Sequence, residues 1–149
     1  MRHICFLDID GILAGESYFE KLYKNKQEND FLDEEKVQKL NSLECEIVIS
    51  SSWGEDGGKT LERLRAKGLT LPVIGYTEHY YNHWIVRGNE IKKWLEDNMK
   101  DEDYQYAILD DDSDMLLEQK EHFVQVDSYE ALTDENVEHV RKILNSNIL

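Results

Sequence analysis

Residues 4–11 of the chain read Ile-Cys-Phe-Leu-Asp-Ile-Asp-Gly. Four apolar residues that end at once in an acidic pair are typical of a buried strand that leaves the core at a polar turn. Other short apolar runs that can form strands occur at residues 43–50, 71–76, 104–109 and 123–126. Because these runs do not alternate with polar residues, they indicate strands buried on both faces, as in a parallel sheet.

Helical patterns separate the apolar runs. Asp33 would cap one helix and Thr133 would cap the last one, since both side chains can accept hydrogen bonds from free backbone N–H groups. Further helices are expected at residues 58–67, after Gly88, and over a short stretch near 115–121. About five alternations of strand and helix predict an α/β fold. We expect a three-layer α/β/α Rossmann-like sandwich with a mainly parallel sheet of about five strands.

The length of 149 residues fits one domain spanning 1–149. A polar stretch around 14–32 is expected to form a small flap, since it is too short for a folded cap domain. A minimal cap would leave a site open to a long or macromolecular substrate.

The composition limits the partners and the location. With 17 basic and 32 acidic residues, the net charge is −15. Such a surface repels phosphate backbones, so broad nucleic-acid binding is not expected. No apolar run approaches the roughly 20 residues that span a bilayer, and the first residues do not resemble a signal peptide, so a cytoplasmic location is expected. Cys5 and Cys45 lie in apolar runs and are expected to be buried, reduced thiols.

The residues that follow the strands carry the chemistry, because active sites in parallel α/β sheets lie beyond the carboxyl ends of the strands. The first strand ends at Asp8, Asp10 and Gly11, and the second at residues 50–53, Ser-Ser-Ser-Trp. The fourth ends in the run 110–114, with four carboxylates in five residues. Carboxylates this crowded repel one another without a cation, which favours a metal site. Arg87 can supply a cationic side chain, with Lys59, Lys92 and Lys93 as competitors.

These motifs resemble those of the haloacid dehalogenase (HAD) superfamily. Phe-Leu-Asp-Ile-Asp-Gly at 6–11 is similar to its first motif, Ile-Val-Ile-Ser at 47–50 to its second, and the run 107–114 to its acidic fourth. Residues 50–53 and Arg-Gly-Asn-Glu-Ile at 87–91 resemble, more narrowly, the HAD domain of Swiss-Army-knife RNA-repair proteins. The sequence departs from that narrower pattern at Gly54, where an arginine is expected.

The resemblance implies a Mg²⁺-dependent phosphohydrolase. Asp8 would be the nucleophile and Asp10 the general acid and base, while Arg87 and Ser50, with Ser51 as the alternative serine, would stabilise the transferring phosphoryl group. The implied metal residues are Asp8, Asp10 (through its carbonyl) and Asp110, with Asp111 and Asp114 orienting metal waters and Arg87. Substrate binding is expected to use Gly11, Ser51, Ser52 and Trp53. The substrate would be a phosphorylated small molecule or a nucleic-acid terminus.

Three alternatives stay open from the sequence. The chain could be a HAD-like binding or regulatory module, or it could transfer phosphate to an acceptor other than water. A phosphorylated receiver domain fits poorly, since its acceptor acid should follow the third strand, which ends at Gly75 and Tyr76. The aromatic cluster of His79, Tyr80, Tyr81, His83 and Trp84 would be either a substrate wall or a packed loop.

Overall fold

A computed structural model describes residues 1–28, 31–55, 58–80 and 84–148 of the chain. The apolar runs become five strands: β1 (Arg2–Leu7), β2 (Glu46–Ile49), β3 (Val73–Tyr76), β4 (Tyr104–Asp110) and β5 (Phe123–Gln125). The strands form one sheet in the order β3-β2-β1-β4-β5, and every neighbouring pair is parallel. The predicted parallel α/β fold is therefore confirmed.

Helices cover both faces of the sheet. Five α-helices are described, namely α1 (Glu16–Lys24), α2 (Glu34–Leu40), α3 (Lys59–Ala66), α4 (Arg87–Asn98) and α5 (Asp134–Leu144). Two 3₁₀ turns, Ser52–Glu55 and Leu117–His122, complete the connections. The side chains of Asp33 and Thr133 accept hydrogen bonds from the N–H groups of Glu35 and Asn136, so both predicted caps are present.

The alternation of side chains along the strands divides the core in two. Cys5 and Leu7 of β1 face a large cluster that includes side chains of α2, α3 and α5. Ile4 and Phe6 face a smaller cluster built on α4, where the Trp94 ring lies edge-on to Phe6 at 5.6 Å between centroids. β1 is the central strand of the sheet, and helices on both sides bury its two faces.

Several predicted boundaries differ from the structure. The second strand begins at Glu46 and not at Leu43, because Leu43 still closes a turn through a hydrogen bond from its N–H to the carbonyl of Leu40. The stretch 14–32 contains a nine-residue helix, α1, which its polar composition hid. Arg87 is the first residue of α4, whereas the sequence placed it just before that helix.

The strand order places a topological switch point between β1 and β4. The chain runs outward from β1 through β2 to β3, and then returns to the other side of β1 for β4 and β5. At such a point the loops after the two adjacent strands diverge and leave a crevice at the carboxyl edge. Asp8 and Asp110 are the residues that flank this crevice.

Two further features concern the thiols and the helices. Cys5 and Cys45 are buried free thiols. Among the described residues, no helix has the length and apolar character required to cross a bilayer.

Candidate active site

Three aspartates meet at the switch point. Asp8 follows β1, Asp110 ends β4 and Asp111 follows it, and each offers a carboxylate oxygen within 4.8 Å of the others. Asp8 is 8% exposed and Asp110 is 2% exposed. Their backbones are held by the sheet, since the N–H of Asp8 donates to the carbonyl of Leu109 at 3.0 Å. The cluster is therefore built by the strands themselves.

Burial and mutual repulsion make this cluster costly without a cation. Burial, and then the neighbouring Asp110 carboxylate, raise the pKa of Asp8 to about 9. Burial likewise raises the pKa of Asp110 to about 7. Each carboxylate has a partner that lowers its pKa: the N–H of Ile9 donates to Asp8 at 2.9 Å, and the N–H of Asp112 donates to Asp110 at 2.9 Å. The negative charge that these partners leave uncompensated is one that a divalent cation would neutralise.

The donor set fits Mg²⁺. This ion prefers hard oxygen ligands and is usually held by a few carboxylates together with water and substrate oxygens. Asp8, Asp110 and Asp111 supply such oxygens. Gly11 permits the close approach of Asp111, because a Cβ at Gly11 would lie 2.4 Å from the Asp111 Oδ2 atom. Gly11 also has a φ of +82°, which glycine adopts without strain.

The side chains of Asp10 and Asp114, which the resemblance placed around the metal, bond to groups outside the cluster of three aspartates. The carboxylate of Asp114 accepts the N–H of Arg87 at 3.0 Å, and its carbonyl accepts the N–H of Gly88 at 3.1 Å. Asp114 therefore caps the amino end of α4, where a negative charge is favourable. Asp10 is exposed, and its Oδ2 accepts a hydrogen bond from the indole N–H of Trp53 at 3.1 Å.

Arg87 is the cation beside the nucleophile candidate. Its Nη1 lies 3.9 Å from the Asp8 Oδ1 atom, and the same nitrogen donates to the carbonyl of Ser50. The competing lysines are placed differently. Lys92 and Lys93 are exposed on α4 and pair with Glu118 and Asp97, while Lys59 is exposed at the start of α3.

A buried carboxylate holds Arg87 in place. Glu90 is 3% exposed, and its Oε1 lies 3.3 Å from the Nε of Arg87. Its other oxygen accepts the N–H of Tyr80 at 2.8 Å and lies 3.3 Å from the Nδ1 of His79. Sequence patterns assigned Glu90 no role, although its spacing of three from Arg87 on one helix is a usable signal.

The serines after β2 divide into buried and exposed positions. Ser50 is 1% exposed, and its Oγ has no hydrogen-bond partner among the described residues. An unpartnered buried hydroxyl is costly, so this oxygen is suited to a ligand. Ser51 is buried and its Oγ accepts the N–H of Trp53 at 3.3 Å, whereas Ser52 is exposed.

An aromatic contact reaches the site from the predicted flap. Phe31 is 45% exposed and has a φ of +62°, a conformation that is rare for a side chain of this size. Its ring lies 6.3 Å from that of Trp53 and 6.5 Å from that of Phe19 in α1. The flap therefore borders the site on the Asp10 side.

The predicted aromatic cluster is only partly described. His79 and Tyr80 contact Glu90, and Trp84 is 80% exposed. Tyr81 and His83 lie outside the described residues. For His79 and Tyr80, the structure supports the packed-loop interpretation, because both contact Glu90, which pairs with Arg87.

A five-stranded parallel sheet with acids after β1 and β4 at its switch point defines a HAD-type α/β domain. The family model described as "HAD domain in Swiss Army Knife RNA repair proteins" matches residues 4–137, and the chain belongs to this family. Neither the curated proteins nor the solved structures compared with the chain give a significant match. The family indicates HAD-type phosphatase or hydrolase activity.

Proposed function

We propose that the protein is a Mg²⁺-dependent phosphomonoesterase that works through an aspartyl-phosphate on Asp8. The observation that carries this proposal is the group formed by buried Asp8 and Asp110 with half-buried Asp111 at the switch point, with Arg87 beside it. A protonated Asp8 is no nucleophile, so the raised pKa of its carboxyl requires a neighbouring cation for activity.

Each side chain then has a defined role in the reaction. Mg²⁺ bound by the three aspartates would supply charge neutralisation for the phosphate dianion. The Asp8 carboxylate attacks phosphorus, and Asp10 gives a proton to the departing oxygen and later takes one from water. The free hydroxyl of Ser50 donates to a phosphoryl oxygen, and Arg87 stabilises the charge that spreads over those oxygens in the transition state.

The proposed substrate is a phosphorylated nucleic-acid end or nucleotide. Two features support a substrate larger than a small metabolite: Asp10 is exposed, and Phe31 presents an exposed ring on the same side. The family description names RNA repair. The net charge of −15 opposes extended contact with a phosphate backbone, so we expect recognition of the terminus alone.

Hydrolysis of p-nitrophenyl phosphate with and without Mg²⁺ tests the reaction. Asp8→Asn is expected to lower the rate by at least about 10³-fold, because the amide cannot form the covalent intermediate. Asp101→Asn is the matched control, since Asp101 is exposed and precedes β4 at the opposite edge of the sheet. Full activity of Asp8→Asn, or activity that survives a chelator, would contradict the proposal. A panel of nucleotides and of RNA ending in 5′- or 3′-phosphate then tests the substrate.

A further inference from the structure

The indole of Trp53 donates a hydrogen bond to the side chain of Asp10. Its Nε1–H donates to the Oδ2 atom of Asp10 at 3.1 Å. We propose that Trp53 is a positioning residue, which fixes the Asp10 carboxyl so that Oδ1 faces the departing oxygen. This inference rests on the proposed function, since it assigns the geometry of the general acid in that reaction.

Trp53 is well placed to act as a fixed donor because its own position is determined from several directions. Its carbonyl accepts the hydroxyl of Thr60 at 2.6 Å, and Thr60 is 1% exposed. Its N–H donates to Ser51 Oγ at 3.3 Å. The Arg63 guanidinium lies 5.7 Å from the centroid of the indole, and the Phe31 ring lies 6.3 Å from it. The backbone and the ring are therefore both held before substrate binds.

Asp10 needs such a support more than Asp8 does. Asp8 is set by the sheet, whereas Asp10 is exposed in the turn beyond β1. An exposed carboxyl can rotate freely about its side-chain bonds, and a general acid must be held within a fraction of an ångström of its productive position. A hydrogen bond from a fixed ring removes that freedom.

The chemistry of the indole also selects which oxygen carries the proton. Indole N–H is a donor only, so the Oδ2 atom that it meets must be an acceptor. The carbonyl oxygen of a carboxyl group accepts hydrogen bonds better than its hydroxyl oxygen does, so this bond favours Oδ1 as the oxygen that carries the transferred proton. It passes to the leaving oxygen as the bond from that oxygen to phosphorus breaks, and Oδ1 later takes a proton from the water that attacks the phosphorylated Asp8. Proton transfer is balanced over the two steps.

A positioning role predicts a loss that depends on the leaving group. Benzyl phosphate leaves as a basic alkoxide and needs the proton, whereas p-nitrophenolate leaves without it. We expect Trp53→Phe, which keeps an aromatic ring and removes the donor, to lower kcat/KM for benzyl phosphate by about 30-fold and for p-nitrophenyl phosphate by less than about threefold. The ratio kcat/KM is the proper measure, because it reports the steps up to cleavage of the first bond.

Trp94→Phe provides the matched control. The same chemical change is made here beside the core, where Trp94 packs edge-on to Phe6, and it is expected to alter kcat/KM equally for the two substrates. Equal losses on both phosphates in Trp53→Phe would overturn the positioning role and leave the phosphatase proposal standing. If the wild type hydrolyses neither phosphate, or if Asp8→Asn remains active, the phosphatase proposal fails.

A second measurement tests the contact without any activity. In metal-free protein labelled with ¹⁵N-tryptophan, the three indole N–H signals can be resolved, and Trp53→Phe identifies the signal of Trp53. Asp10→Ala removes the acceptor and is expected to shift that signal, while the signals of Trp84 and Trp94 remain in place. An unshifted Trp53 signal would overturn the proposal whatever the kinetics show.

Discussion

The two flanks of Asp8 are built in opposite ways. On one flank Arg87 is held by Glu90, which is 3% exposed and pairs with both the arginine and the segment at 79–80. On the other flank Asp10 is exposed and accepts a hydrogen bond from Trp53, whose ring contacts that of Phe31. The buried flank is suited to the phosphoryl group, which every substrate shares. The exposed flank is suited to the leaving group, which varies.

The largest expected effect lies on the buried flank. Arg87→Ala is expected to lower kcat/KM by about 10²- to 10³-fold, because it removes a charge that stabilises the transition state. The loss should be similar for p-nitrophenyl and benzyl phosphate, since both carry the same phosphoryl group. Lys92→Ala, on the exposed face of α4, is the control and should retain activity. A loss confined to one of the two substrates would break the division between the flanks.

The second-largest effect is expected at Glu90, which holds Arg87 in place. Glu90→Gln keeps the shape and removes the charge, so Arg87 loses its buried counter-ion. We expect a decrease of about 3 kcal/mol in the free energy of unfolding, together with about a tenfold lower kcat. Urea unfolding and steady-state kinetics measure the two effects. Glu96→Gln, an exposed change on the same helix, should alter neither. Unchanged kinetics in Glu90→Gln would mean that Arg87 needs no support.

The pH dependence of metal-free stability tests the acidic cluster between the flanks. The folded-state pKa values of Asp8, about 9, and Asp110, about 7, lie above the ordinary value of 3.8. The folded protein therefore binds more protons than the unfolded chain between these limits, and its stability decreases as pH rises. We expect the metal-free Tm to be lower at pH 9 than at pH 6 by at least about 5 °C.

Two comparisons sharpen this measurement. Mg²⁺ should raise Tm more at pH 9 than at pH 6, since the ion binds ionised carboxylates. Asp110→Asn should flatten the metal-free dependence and reduce the effect of Mg²⁺, whereas Asp101→Asn should change neither. The same slope in Asp110→Asn and wild type would show that the pair does not control it.

The smallest expected effect is on the exposed flank. Phe31→Ala removes a ring that is 45% exposed, so folding should be little affected. We expect about a threefold higher KM for phosphate-ended RNA with an unchanged kcat, which corresponds to the loss of one modest aromatic contact. Tyr23→Ala, which removes an aromatic ring that is 86% exposed from α1, is the control. An unchanged KM in Phe31→Ala would show that Phe31 of the flap does not contribute to substrate binding.

Much of the site could be predicted because its sequence signals lie in adjacent residues. Asp8, Ser50 and Asp110 follow apolar runs directly, and parallel strands bring their carboxyl ends to one edge of the sheet. Helix caps at Asp33 and Thr133 were equally local. Helix α1 was missed because its apolar stripe, Tyr18, Phe19 and Leu22, is short, and the stretch around it is rich in charged residues.

Contacts between segments that are distant in the chain could not be predicted from the sequence. The bond from Trp53 to Asp10 joins positions 43 residues apart, and the sequence assigned Trp53 to substrate binding alone. Asp114 was expected to orient metal waters and Arg87, but the sequence did not specify the contact by which its carboxylate accepts the backbone N–H of Arg87 at the amino end of α4. Identical carboxylates take different partners according to which element each one meets.

The sequence by itself determined the parallel α/β class and the residues that end each strand, because apolar runs and the acids after them are properties of adjacent positions. Only the tertiary structure decided which of those residues share a site. The strand order puts β4 beside β1 and so buries Asp110 next to Asp8, and α4 carries Glu90 and Arg87 to the same place. The physical reason is that burial and Coulomb repulsion depend on distance in space, which the order of residues along the chain does not give.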